Sequence, residues 1–330
     1  MTLIAAIMAR RRRSSSRSRR TRLSLPARWL LYLNLVLAAL VGGWYFLQPA
    51  ERQTEVRRLV STTWARDKGV SPVDVAWDIW ELYYANPASG RIAAGDKTHL
   101  YGGTPRTSSG AEAGFLRVLV NRGYVVGYNE TRGNPAWAAY RVRDLAEMPS
   151  TPPRPERFSV DRRTATRVDP DVYTGSGYDR GHLAPNYAIA TRHGREAQEE
   201  TFLMSNITPQ RHALNAGVWK QLEMKIATSY PARYEEVWAI AGPIFGERPR
   251  ELRGVVQVPE AFFLIVVDEH EGKLRTLSFI VPQDASSEMS ADRYLASIDE
   301  IERRTQLDFL PDLDDVTEAE VERSVPARVW

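Results

Sequence analysis

Apolar and polar positions along this 330-residue chain fall into three regimes. The first is WLLYLNLVLAALVGGWYFL, Trp29 to Leu47, a stretch of 19 residues with no charge and no polar face. As a helix rising 1.5 Å per residue it spans about 28 Å, close to the ~30 Å hydrocarbon thickness of a bilayer. Trp29, Trp44 and Tyr45 lie near its ends, where amphipathic rings favour the membrane interface. The pattern predicts a transmembrane signal anchor over residues 29–47. The alternatives are a mitochondrial presequence and a cleaved signal peptide, although the run exceeds the roughly 7–15 apolar residues of the latter and shows no clear A-x-A site.

The second regime, residues 48–96, reads as a juxtamembrane helical connector. Glu51 to Arg66 is charged and helical in pattern. Ser71 and Pro72 then cap VDVAWDIWELYY, where Val73, Trp77, Trp80 and Tyr84 recur at helical spacing. The third regime, residues 97–316, is mixed. FLRVLVNRGYVVGYNE, WAAYRVRDL, EVWAIAGPIF, AFFLIVVDE and LRTLSFIVPQ suit strands, and ETFLMSNITPQ is strand-like. ALNAGVWKQLEMKIATSY predicts one continuous helix, with Leu214, Val218, Leu222 and Ile226 four apart, and YLASIDEIERRTQLDFLPDL predicts a carboxy-terminal helix. TPPRPER is a proline-rich loop. The whole reads as one α+β domain around a mainly antiparallel central sheet, followed by a tail at 317–330.

Charge changes the picture through its segregation. The chain holds 44 basic and 41 acidic residues, but nine of the arginines lie within residues 1–28, which contain no acid. The remaining body is mildly acidic, so any polyanion site on it must be a local patch. The arginine-rich stretch predicts a basic tail held on the cytoplasmic side, with residues 48–330 on the other, periplasmic or extracellular, side. The absence of cysteine excludes disulfides, thiolate catalysis and cysteine-ligated zinc.

Candidate chemistry concentrates in two segments. One is Asp179-Arg180-Gly181-His182; the other is Asn215 to Glu223 on the predicted helix. Eight residues of helix would set the Asn amide and the Glu carboxylate about 80° apart, on neighbouring stripes of one side. A histidine base, an oxygen donor suited to a hard divalent cation and an arginine make a workable set for phosphodiester hydrolysis. The residues alone also allow Asn215 to be a helix-start residue, Glu223 an exposed helical acid and His182 a satisfied polar histidine.

DRGHLAP, then FLMSNITPQ, then LNAGVWKQLE resembles the DNA/RNA non-specific endonucleases of the ββα-metal class. GYVVGYNETRGNPAWAAYRV before these motifs and AGPIF, VPEAFFLIVV and SIDEIERRTQLDFLP after them extend the likeness over roughly residues 98–313. The resemblance implies a ββα-metal (His-Me finger) nuclease fold and a sequence-non-specific, Mg²⁺-dependent endonuclease of DNA and RNA, with Mn²⁺ able to substitute. It implies His182 as general base, Asn215 as the direct metal ligand, and Glu223 acting on the metal through a water. Arg180 and Asp179 would shape and charge the site, and Asn206 would support substrate or the histidine loop. A substrate-binding arginine commonly precedes the DRGH motif, and here Arg154 and Arg157 are both candidates. Ala216 stands where family members often have Gln. His193 and His212 match no family role and read as exposed loop histidines. A catalytically inactive membrane-anchored nucleic-acid-binding domain and a phosphodiesterase of smaller nucleotides are the alternative functions. Homodimerisation and a protein inhibitor are the further partners considered.

Overall fold

The computed structural model describes residues 25–48, 53, 56, 57, 73, 99–108, 116–270, 272–286 and 289–330. The expected basic tail up to residue 24 and nearly all of the expected 48–96 connector lie outside the described residues. The chain divides into two compact units, Met1–Glu55 and Val56–Trp330. In the first unit, α1 (Leu25–Phe46) is a 22-residue helix over the predicted anchor, with Tyr32, Leu33, Leu35, Val36, Leu37 and Leu40 exposed. Among the described residues, however, no helix is long and apolar enough to cross a membrane. The run is diluted by Asn34, Gly42, Gly43 and the aromatic rings at its ends. The spanning expectation therefore draws no support from the structure.

The second unit is built on a six-stranded sheet. Its strands are β2 (Leu116–Val120), β3 (Val125–Asn129), β4 (Asn134–Arg143), β7 (Glu236–Ile244), β10 (Ala261–His270) and β11 (Lys273–Pro282). They lie in the order β11-β10-β7-β4-β3-β2, every neighbour antiparallel, as the sequence predicts. The central strands are buried on both faces, which is why β7 and β10 are nearly unbroken apolar runs. Alternation still sorts their side chains. Val237, Ala239, Ala241, Phe262, Leu264 and Val266 face one core; Trp238, Ile240, Phe263, Ile265 and Val267 face the other. At the β3–β4 pair a Cβ on Gly127 would lie 2.2 Å from the Trp137 indole, so the large ring fits only over a glycine.

The helices that follow the SNITPQ segment pack on the first core. The predicted single helix over 213–230 is instead a series: α3 (His212–Asn215), α4 (Val218–Met224), a π-helical turn at Lys225–Ser229 and α5 (Tyr230–Tyr234). Gly217, at φ −98° and ψ −119°, breaks it. Leu214, Val218, Leu222 and Ile226 are all buried in that core as their spacing demands, but the 80° relation between Asn215 and Glu223 does not apply across the break. An element the pattern does not announce is α2 (Asn186–Glu200), interrupted at Gly194 (φ 79°), where charged residues obscure the apolar spacing.

The second core is closed by α6 (Ile298–Thr305), β12 (Leu307–Asp308) and α7 (Asp315–Arg323) through Ile298, Ile301, Leu307, Phe309 and Val321. The short β1 (Arg106–Thr107) pairs with β12, and β8 (Glu251–Leu252) with β9 (Val256–Gln257). The segment expected as a tail at 317–330 is structured: α7 occupies much of it, and Trp330 is buried in the first core against Tyr230 and Tyr234.

Candidate active site

β5 (Asp179–His182) and β6 (Ile207–Gln210) form a separate antiparallel pair, Asp179 opposite Gln210 and His182 opposite Ile207. Gly181 is required there: a Cβ would lie 2.0 Å from the Gln210 side-chain oxygen. The chain leaves β6, turns at Arg211 and enters α3, so the histidine strand and the Asn215 helix are joined by one strand crossing. Asn206 sits at the root of this hairpin, fully buried. Its Oδ1 accepts the Ala184 N–H at 2.9 Å, and its Nδ2 donates to the carbonyls of Ala184 and Thr201, both at 3.0 Å. The resemblance implies that Asn206 supports either the substrate or the histidine loop. With its amide committed to three internal bonds, it is a positioning residue for the loop after His182.

His182 is buried between Phe158 and Phe202, ring centroids 5.5 and 5.0 Å away. Its Nε2 is buried with no hydrogen-bond partner. Burial, assisted by the Arg154 cation, lowers its pKa from the ordinary 6.5 to about 3, so the imidazole is neutral with a free lone pair at neutral pH. Phe158 lies outside the motifs and Phe202 opens FLMSNITPQ, but neither their packing on His182 nor the orphaned nitrogen is visible in the sequence.

Asp179 performs a different task. Its Oδ2 accepts from Asn215 Nδ2 at 3.0 Å and lies 2.8 Å from His212 Nδ1. Fixing the amide nitrogen on Asp179 directs Asn215 Oδ1 the other way, as a neutral oxygen donor suited to a hard cation. His212 is exposed as expected, but it belongs to α3 and is tied to Asp179 rather than idle. His193 lies on α2, not in a loop, with its ring centroid 5.5 Å from that of His99; burial lowers its pKa. Arg180 donates to the Pro170 carbonyl at 3.1 and 2.7 Å and to Thr174 Oγ1 at 3.2 Å, which anchors the turn at 170–174.

Glu223, on α4, has its pKa raised to about 8 by burial, against opposing effects from Trp219, Arg154 and Lys220. The field of Arg154 thus reaches both His182 and Glu223, and its guanidinium lies 5.1 Å over the Phe202 ring. That geometry separates the two upstream candidates: Arg154 joins the site, while nothing comparable connects Arg157 to it. Gln210 is a further residue that the sequence reading missed. It is buried over Gly181 with neither amide atom partnered, and its only signal was its place at the end of SNITPQ.

The groups are a neutral buried base, an amide oxygen oriented by Asp179, a carboxyl whose ionisation burial opposes, and an arginine whose charge acts on both the base and the carboxyl. They suit an anionic substrate handled with one hard metal ion. Comparison with known proteins identifies the family. The family model described as DNA/RNA non-specific endonuclease matches residues 102–316. A nuclease of Nostoc sp. is 30% identical over 220 residues, covering 63% of this chain and 78% of its own. Human mitochondrial endonuclease G is 28% identical over 226 residues, covering 61% of this chain and 71% of its own. Among solved structures, a chain of an EndoG/EndoGI inhibition complex superposes with a TM-score of 0.55 at 23% identity. That match covers 61% of this chain and 89% of the other, a likeness of fold.

Proposed function

This chain belongs to the DNA/RNA non-specific endonuclease family, and from that membership we propose that it hydrolyses phosphodiester bonds in both DNA and RNA with little sequence preference. It is a nuclease by family; the proposal adds its substrates, its metal and the roles of its residues. The observation that carries it is the buried His182, its Nε2 unpartnered, joined by the same hairpin to an Asn215 that Asp179 orients.

In this reading His182 Nε2 takes a proton from the attacking water, and burial keeps the ring neutral, with one nitrogen able to accept, until the water arrives. Mg²⁺, with Mn²⁺ able to replace it, would be held by Asn215 Oδ1 and through water by Glu223, and would stabilise charge on the phosphate and leaving oxygens. Arg154, whose charge acts on His182, would face the scissile phosphate. Contacts of this kind go to phosphate rather than to base edges and carry no sequence information. An inactive binding domain would need neither a desolvated base nor an oriented amide.

The exposed apolar side chains of α1 support contact with a membrane, and the arginine-rich stretch before it favours a catalytic unit outside the cytoplasm. The mitochondrial location in the human relative's name supports an organellar alternative. A protein inhibitor and a homodimer complete the proposed partners; the inhibited complex of the structural neighbour supports the former.

The test is incubation of the full chain with supercoiled plasmid and with RNA, in Mg²⁺ and in EDTA. Cleavage of both polymers only with Mg²⁺, lost in His182→Ala, is expected. Absence of cleavage, or cleavage unchanged by that substitution, overturns the mechanism. Activity confined to mononucleotide esters replaces the endonuclease with a phosphodiesterase.

A further inference from the structure

On the sheet face opposite the His182 site, α6, β12 and α7 bring five carboxylates together. Side-chain oxygens of Asp299, Glu302 and Glu322 lie within 4.8 Å of one another, and so do those of Asp308, Glu318 and Glu322. Glu322 is common to both groups. It is 8% exposed, and its Oε1 is buried with no hydrogen-bond partner. Glu302 spends one oxygen on the Phe309 N–H at 2.7 Å. Nearby arginines are engaged elsewhere: Arg106 with Asp312, Arg303 with Glu300 and Arg304 with Glu260. A buried carboxylate oxygen facing other acids with no donor costs stability unless a positive charge occupies the space.

We propose that this cluster is a second cation site, distinct from the catalytic one, in which Glu322 and the carboxylates around it bind Ca²⁺. All its donors are oxygens, which selects hard cations. Mg²⁺ keeps several waters and is held through one or two carboxylates, whereas Ca²⁺ takes about six to eight oxygens in a flexible shell. Carboxylates gathered in threes from three elements therefore suit the larger ion. Burial and the neighbouring acids raise the pKa of both Glu302 and Glu322, and the two carboxyl groups lie in hydrogen-bonding contact with each other. The rival occupant is a proton shared by Glu302 and Glu322. Glu318 and Glu322 fall beyond the family match at residue 316, so the site would be a feature of this chain's carboxy-terminal helix. Its effect would be to clamp α7 onto α6 and β12.

The experiment uses the full chain carrying Asn215→Ala, so that the catalytic metal does not contribute. Titration calorimetry with CaCl₂ should show saturable binding, and a hundredfold excess over Kd should raise Tm by about 5 °C or more. Glu322→Gln should abolish both signals. Glu318→Gln, at a less buried position, should weaken binding at least tenfold and serves if the first variant fails to fold. No heat and no Tm change with Ca²⁺, or the same response in both variants, overturns the proposal. A Glu322→Gln protein that is more stable than its parent in EDTA, in a background indifferent to Ca²⁺, identifies the shared proton instead and also overturns it.

Discussion

Replacing Asp179 with Asn isolates the contact that orients the metal ligand. In the native site the carboxylate can only accept, so Asn215 must present its amide nitrogen at 3.0 Å and turn its oxygen outward. An amide at 179 can accept through its oxygen or donate through its nitrogen, so both orientations of Asn215 become available and one of them aims an N–H at the cation. A hydrogen bond to a charged group contributes about 1.5–3 kcal/mol. Asp179 is 34% exposed, which places this one at the lower end once solvent screening is included. About 1.5 kcal/mol corresponds to roughly a tenfold weaker metal Kd, within the 10–100-fold range of losses seen when ligand-orienting residues are changed. The assay is plasmid nicking as a function of Mg²⁺, with calorimetric Mn²⁺ binding alongside. Half-saturation should shift about tenfold while the rate at saturating metal stays within roughly threefold of the parent. A collapsed maximal rate with unchanged metal affinity would refute the reasoning and place Asp179 on the substrate. His212, being 82% exposed, is the control: His212→Ala should shift metal affinity by less than about fivefold.

The same geometry yields four further expectations. Arg154→Ala should lower kcat/KM on DNA by roughly 10–100-fold, while Arg157→Ala changes it by less than about threefold, as steady-state kinetics on a short duplex will check. His182→Asn should cost at least about 100-fold in rate and also change the pH dependence of stability. The folded pKa of about 3 lies below the ordinary 6.5, so the unfolded chain takes up the proton first. The stability contribution is complete above pH 6.5 and is lost as pH falls towards 3. Denaturation at pH 7 and pH 4 should show the variant spared about 3 kcal/mol of acid destabilisation. Asn206→Ala leaves the Ala184 N–H and two carbonyls unpaired and should lower unfolding free energy by about 2–4 kcal/mol in urea titration. Trp330→Ala should cost about 3–5 kcal/mol by the same measurement, because the ring packs on Tyr230 and Tyr234; a mere tail residue would cost nothing.

Strands such as AFFLIVVDE and LRTLSFIVPQ could be read directly, because apolar runs bounded by turns have few other solutions in a chain of this composition. The order of DRGH, SNITPQ and LNAGVW also carried the family, and with it His182 and Asn215. These are properties of neighbours along the chain: local periodicity, local turn chemistry and short motifs. The remaining decisions needed distance through space. Gly217 broke a helix whose apolar spacing ran straight through it, because that spacing records burial and not backbone continuity. Arg154 and Arg157 share a proline-rich loop and are equivalent on paper; only packing against Phe202 and the charge that Arg154 exerts on His182 and Glu223 distinguish them. Asn206 could serve either the substrate or the histidine loop until its three hydrogen bonds placed it at the loop. Trp330 looked like an end until the core closed over it. Sequence determined which groups exist and in what order they arrive. Which of them are desolvated, oriented or left without a partner was decided by tertiary structure, because burial and hydrogen bonding depend on residues that meet only after the chain has folded.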